Sequence, residues 1–308
     1  MPLRFYTFPP DSIAYPFVLV NARRIDQQMR YLIRYKRQIK AIIVDSGIEI
    51  FRDRSIKEYP LGPEAWIRRQ ARTYYFLKMI MPSKEIYITI PDYCDDYFPK
   101  NLWISKEITN IERTLRNIEY AIDNYSDVNW LIPVQGHFKK PNSILRSLKW
   151  MEETGILKKF NFFAIANLCT EKERYVMITT LRIARRYLAD KKIHVFGLKK
   201  NIIEQAYKRG LLDSSDSTAW TRPCGLTQKI MRRYYNIKKN YSCKTSRERI
   251  IYFITWILSL AKNIRYDIDL PQDLLNSYRL MLNDLATPRL MKSSPITLDQ
   301  FWRAKKHE

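Results

Sequence analysis

The chain has 308 residues, enough for one barrel-sized domain or two smaller ones. Lys and Arg number 54 against 31 Asp and Glu, and the resulting +23 exceeds what solubility requires and favours a polyanionic partner, nucleic acid or an anionic membrane surface. Four scattered cysteines without a C-x-x-C pair argue against a structural zinc cluster and a disulfide framework, and Met1-Pro2-Leu3-Arg4-Phe5 is no secretory signal.

In chain order, Tyr15 to Val20 reads as a strand, followed by Asn21-Ala22-Arg23-Arg24 and a basic helix from Ile25 to Lys40. Ala41 to Val44 is a compact buried strand that stops at Asp45-Ser46-Gly47. Pro63 to Met81 is helical in pattern, and strand Ile86 to Ile90 ends at Pro91-Asp92-Tyr93-Cys94. From Ser105 to Asn124 an apolar stripe of Ile108, Ile111, Leu115, Ile118 and Ile122 marks an amphipathic helix. Strand Trp130 to Val134 runs into Gln135-Gly136-His137, and helix Ser143 to Glu153 leads to strand Phe160 to Ile165, which ends at Ala166-Asn167-Leu168-Cys169. Helix Glu171 to Leu188, strand Ile193 to Phe196 with Gly197-Leu198-Lys199, and helix Asn201 to Lys208 follow. Leu211-Leu212 then reads as a short strand opening onto Asp213-Ser214-Ser215-Asp216-Ser217. Beyond Gly225 the pattern turns helical, over Ser246 to Lys262, Pro271 to Leu285 and Thr297 to Lys305.

Strands and helices that alternate this strictly are the signature of βα units on a parallel sheet. The expected fold is α/β, a TIM-like (β/α)8 barrel over residues 1–235 with a helical tail over residues 236–308 that completes the barrel or packs on it. Seven strands can be placed and the eighth is not evident. The longest apolar run, Ile250 to Ala261, falls short of the roughly twenty residues a bilayer demands, so a soluble cytoplasmic protein without a membrane segment is expected.

In such a barrel the C-terminal strand ends converge, so Asp45, Asp92, Gln135, Asn167, Gly197 and Asp216 should meet on one face. The chain has seven glycines, and Gly47, Gly136 and Gly197 each lie at or just after a strand end, where backbone must bend sharply or approach a ligand.

These strand-end segments, in this order, resemble the motifs of the tRNA-guanine transglycosylase superfamily, most closely its DNA 7-deazaguanine transglycosylase branch. Val44-Asp45-Ser46-Gly47 resembles the D-S-G-G motif with Ile48 in place of the second Gly; Asp92-Tyr93-Cys94 is similar to D-E-C, and Val134-Gln135-Gly136 to V-Q-G. Ala166-Asn167-Leu168 stands where the family has a glycine-rich turn. His194-Val195-Phe196-Gly197-Leu198-Lys199 and Ser215-Asp216-Ser217-Thr218-Ala219-Trp220 look more like the DNA-modifying branch. The likeness covers about Phe5 to Pro223, and the Cys-rich zinc site of the tRNA enzymes is missing, since Cys243 alone stands in its region.

The resemblance implies base exchange through a covalent glycosyl-enzyme, with Asp216 as nucleophile at C1′ and Asp45 as general acid/base, and with no metal or cofactor. It implies that Asp92 binds the guanine-type N1 and amine, that Gln135 holds the O6 side, and that Cys94, Gly136, Asn167, Leu168 and Gly197 shape the pocket. Arg222 would lie near the nucleic-acid backbone. The partners would be DNA, or in the alternative tRNA, and a free 7-deazaguanine base, with a partner protein or homodimer left open. Read as plain residues, Asp45 suits a helix N-cap, Asp216 a polar loop, and Asp213 is a second candidate for the reactive carboxylate. A catalytically silent nucleic-acid-binding barrel is the reading from another class.

Overall fold

The strand missing from the apolar pattern is the first one, β1 (Arg4–Tyr6). Three residues are too few to show a period. Phe5 turns outward onto Trp256, with ring centroids 4.5 Å apart, while Arg4 and Tyr6 turn into the barrel, where Arg4 Nη1 reaches Glu85 at 2.7 Å. The computed structural model describes residues 1–53, 55–95, 103–217 and 245–286.

The other strands are β2 (Phe17–Asn21), β3 (Ala41–Asp45), β4 (Glu85–Thr89), β5 (Trp130–Val134), β6 (Phe162–Ile165), β7 (Lys192–Val195) and β8 (Ser214–Asp216). All pair in parallel, in the order β1-β8-β7-β6-β5-β4-β3-β2. The ring closes just beyond β1: the Thr7 N–H donates to the Phe17 carbonyl (3.2 Å) and the Leu19 N–H to the Thr7 carbonyl (3.0 Å). The helices are α1 (Ile25–Arg34), α2 (Pro63–Ile80), α3 (Asn110–Asn124), α4 (Ile144–Glu153), α5 (Ile156–Lys159), α6 (Arg174–Tyr187), α7 (Lys200–Lys208), α8 (Ser246–Asn263) and α9 (Gln272–Ala286). Together with the strands they build a TIM-like (β/α)8 barrel with C-terminal helices.

The expected strand at Leu211-Leu212 is displaced. The strand proper is Ser214–Asp216, a buried run of hydroxyls and a carboxylate. Flanking strands on both sides satisfy its backbone, Ser215 Oγ donates to the Val195 carbonyl (2.8 Å), and Ser214 and Asp216 face inward toward His194. A polar strand is affordable where each polar atom has a partner.

Helix ends also move for local reasons. The helix expected from Ile25 to Lys40 stops at Arg34, and the one expected from Ser105 begins at Asn110, because Thr109 and Glu112 form a capping box. The helix expected from Glu171 begins at Arg174, the Glu171 carboxylate having taken the N–H groups of Lys172 and Glu173.

Helix α8 is buried on all sides from Ile250 to Ala261, which accounts for its unbroken apolar sequence. Phe253 packs edge-on against Tyr15 and Tyr278, and Tyr278 Oη donates to the Ala14 carbonyl (2.9 Å). Each such fully buried ring contributes about 2 kcal/mol. Asn263 ties α8 to Glu204 on α7 (2.7 Å), and Ile268 bridges to Leu3 beside β1. Among the described residues no helix is long and apolar enough to cross a membrane. The 235/236 boundary, Arg222 and the helix expected at Thr297 to Lys305 lie outside the described residues.

Candidate functional site

A cavity of about 720 Å³ opens at the C-terminal ends of the strands. Asp45, Asp92 and Asp216 reach its wall from β3, the segment after β4, and β8. Residues far apart in sequence meet there because parallel strands all end on one side.

Asp45 is the last residue of β3, and the turn after it is held rigidly. Trp66 Nε1 donates to the Ser46 carbonyl (2.9 Å), and Gly47 turns the chain with φ of +83°, where a Cβ would stand 3.1 Å from the Trp66 ring. Burial pushes the Asp45 carboxyl up to about 8, and the charges of Asp92, Asp216 and Glu49 push the same way. Asp45 therefore keeps its proton at neutral pH. It is a strand-end carboxyl, while the short helical turn that follows, Ile48–Arg52, is entered through Gly47, so the N-cap reading does not hold.

Asp216 ends β8 and is 6% exposed. Its Oδ1 accepts the Gly197 N–H at 2.8 Å, and His194 Nε2 lies 3.5 Å from the same oxygen. Gly197 has φ of +65°, and a Cβ there would come within 2.5 Å of Cys169 Sγ. A glycine is thus required for the backbone to reach the carboxylate. Asp213 sits at the other end of the same strand, where its Oδ2 accepts from Arg185 (2.6 Å) and from the Ile193 N–H (2.7 Å). Asp213 thus braces the barrel floor, whereas Asp216 faces the cavity.

Asp92 is fixed from behind. Its carbonyl accepts the Tyr59 hydroxyl (2.8 Å), the Pro91 carbonyl accepts Asn117 Nδ2 (2.8 Å), and the Tyr93 N–H donates to Thr114 Oγ1 (3.0 Å). The Arg113 guanidinium lies 3.6 Å over the Tyr93 ring and binds Glu58 at 2.6 Å. Gln135 donates through Nε2 to Asp92 Oδ2, while its main-chain carbonyl accepts the Ser147 hydroxyl (2.7 Å). Gln135 therefore braces Asp92 and does not line the cavity, and Oε1 of Gln135 is buried without a partner.

Of the remaining expected residues, Cys94, Asn167 and Gly197 lie on the cavity wall, whereas Gly136 and Leu168 do not. A Cβ at Gly136 would stand 3.0 Å from Ser143 Oγ and 3.2 Å from the Ile144 nitrogen, so this glycine lets α4 approach β5. Asn167 takes a left-handed conformation (φ 55°), which Asn tolerates better than most residues, in the turn where the resemblance called for glycine.

Several wall residues were not singled out from the sequence. Phe196 is aromatic, and Arg24, Arg34, Arg52, Lys199 and Arg249 add basic side chains to the cavity lining. The Arg23-Arg24 pair after the first long strand and Lys199 after Gly197 were the available signals. His137 binds Asp95 at 3.0 Å, and Asp95 also accepts from Trp103 (2.9 Å) and Asn110 (2.7 Å). Although burial works against the Asp95 charge, these hydrogen bonds hold its carboxyl below the usual range. Neither Asp95 nor His137 lines the cavity.

No protein-family model matches the chain, and neither does any curated protein.

Proposed function

We propose that the protein is a nucleic-acid guanine transglycosylase, which exchanges a guanine in DNA for a free 7-deazaguanine such as preQ0 by way of an Asp216 glycosyl ester. The observation that carries this reading is the meeting of Asp45 and Asp216 on one cavity, with Asp45 held protonated and Asp216 held by a main-chain N–H. Two carboxyl groups in unlike environments are what retaining glycosyl transfer uses.

Because Gly197 occupies Oδ1 of Asp216, Oδ2 is the attacking oxygen. It forms a bond to C1′ as the C1′–N9 bond breaks, and the departing guanine takes the Asp45 proton. The incoming base gives its N9 proton back to Asp45 and attacks C1′, releasing the Asp216 carboxylate. Asp92 supports recognition of a guanine-type edge, since a carboxylate fixed by Gln135 can accept from both N1–H and the exocyclic amine. The +23 charge and the basic residues of the cavity lining suit a phosphate backbone, and a base in duplex DNA would have to be flipped out to reach Asp216. A cytoplasmic location fits such a substrate.

The test is exchange of labelled guanine or preQ0 into duplex DNA, single-stranded DNA and unmodified tRNA, with Asp216→Asn beside the wild type. Label entering DNA with the wild type and not with the variant is the expected result. Label entering tRNA alone would move the reading to tRNA, and no label in any of them would overturn it.

A further inference from the structure

His194 lies beneath Asp216 inside the barrel and is fully buried. Its Nδ1 is 3.0 Å from Ser214 Oγ, and its ring is enclosed edge-to-face by Tyr6 (5.7 Å) and Phe196 (4.6 Å). Its Nε2 has no hydrogen-bond partner, and Asp216 Oδ1 lies 3.5 Å from it. A buried nitrogen left unpartnered costs free energy comparable to a lost hydrogen bond, so an arrangement that keeps one beside a cavity carboxylate calls for a reason.

We infer that His194 is a positioning residue that acts on the Asp216 carboxylate, and that its main effect falls on release of the sugar from Asp216. The inference rests on the transglycosylase reading above. When the Ser214 hydroxyl donates to Nδ1, the imidazole carries a proton on Nε2, the nitrogen 3.5 Å from Oδ1. Gly197 N–H and Nε2–H then address the same oxygen. In the first half of the reaction they fix Oδ1 as the carbonyl oxygen of the ester and leave Oδ2 to bond C1′. In the second half the incoming N9 attacks C1′, the C1′–Oδ2 bond breaks, and its electron pair returns to the carboxylate. The negative charge then spreads onto Oδ1, where both donors already stand, while the N9 proton goes to Asp45. Donors placed where charge develops speed that step most.

The consequence is a variant that is slowed and also loaded with intermediate. In full-length protein, His194→Phe keeps the ring shape and removes both nitrogens. Exchange of labelled guanine into duplex DNA should fall by about 10²-fold in kcat with KM for the base little changed. The fraction of enzyme bound covalently to DNA after denaturation should rise. His194→Gln, which restores a donor, should recover part of the rate and lower that fraction. Ser214→Ala removes the partner that sets the imidazole tautomer and should raise the covalent fraction by a smaller amount; if His194→Phe does not fold, this variant decides. A covalent fraction that stays level or falls along with kcat in the folded variants would overturn the inference while leaving transglycosylation intact. If the wild type neither exchanges base nor forms the adduct, the underlying reading fails and takes this inference with it.

Discussion

Two aspartates three positions apart, one just before β8 and one at its end, meet opposite environments. Asp213 enters β8 at the floor of the barrel and is met by Arg185 at 2.6 Å. Asp216 leaves β8 at the mouth and is met by a main-chain N–H and the edge of a buried imidazole. The contrast extends across both ends. At the floor, Arg4 joins Glu85 (2.7 Å) to Asp269 (3.0 Å), so carboxylates find cations. At the mouth, Asp45 faces the charges of Asp92, Asp216 and Glu49. A fold gains nothing in stability from gathering carboxylates, so the mouth accords with the proposed chemistry, while the paired charges of the floor serve cohesion.

The widest separation between the ends should come from one substitution made at both. Asp216→Asn removes the proposed nucleophile and should lower exchange by about 10³-fold or more, with the fold intact by circular dichroism. Asp213→Asn should leave exchange near the wild-type rate and lower stability by about 1–3 kcal/mol, since Arg185 loses its charged partner, readable as a drop in Tm. A folded, inactive Asp213→Asn would reverse the assignment of the two ends.

Glycine gives the next largest effect. Gly197 and Gly210 both have φ of +65°, but a Cβ at Gly210 meets nothing within 4 Å, while one at Gly197 would strike Cys169 Sγ at 2.5 Å. Gly210→Ala should cost about 1 kcal/mol in backbone strain alone. Gly197→Ala should cost about 2–4 kcal/mol and also reduce exchange, because the N–H that holds Asp216 must move with the backbone. Equal costs in chemical denaturation would mean that the mouth is as adaptable as the floor.

The mouth was easier to read from sequence than the floor, for a physical reason. Strands such as Ala41–Asp45 and Trp130–Val134 are buried on both faces and so appear as apolar runs, and the polar residue that ends each run is conspicuous. β1 is three residues with an Arg facing inward, and β8 is Ser-Ser-Asp; neither looks apolar, because each exchanges hydrophobic contact for partnered polar groups. The position of Asp213 at the floor depends on register with β1 and β7, which no local pattern encodes. Gln135 was visible as a strand-end residue, but its turn onto Asp92 is a contact across 43 positions of sequence. His194 stood inside a recognisable segment, yet its relation to Asp216 exists only once β7 and β8 lie side by side.

The two ends should also titrate in opposite senses. Asp45 has its carboxyl raised from an ordinary 3.8 to about 8, so the folded state binds the extra proton and stability is lost as pH rises through that window. Asp45→Asn abolishes the titration. It should match the wild type near pH 3.5 and exceed it by about 2 kcal/mol at pH 9, less than a fully dry carboxyl would give because the cavity admits water. The same variant should lose exchange by about 10²–10⁴-fold at every pH, since the proposed general acid is gone. A wild type whose Tm is level from pH 4 to pH 9 would mean that neither burial nor the neighbouring charges raise the Asp45 carboxyl.

Glu85 supplies the opposite slope and the smallest effect. Burial acts to raise its carboxyl, but the hydrogen bond and charge of Arg4 outweigh it and hold the group below its ordinary 4.5. The stabilisation is therefore present above that value and is lost as pH falls through the folded-state value. Glu85→Gln keeps the shape and removes the charge, and with a side chain 42% exposed the cost should be no more than about 1 kcal/mol at pH 7. In acid the difference from the wild type should vanish, as the wild-type carboxyl is itself protonated there. High salt should shrink it at neutral pH, because the pair is partly open to solvent. A Glu85→Gln deficit that persists in acid would mean that Glu85 acts by packing against Tyr87 and Arg4 and not by charge, and the electrostatic contrast between floor and mouth would then rest on Asp213 and Arg185.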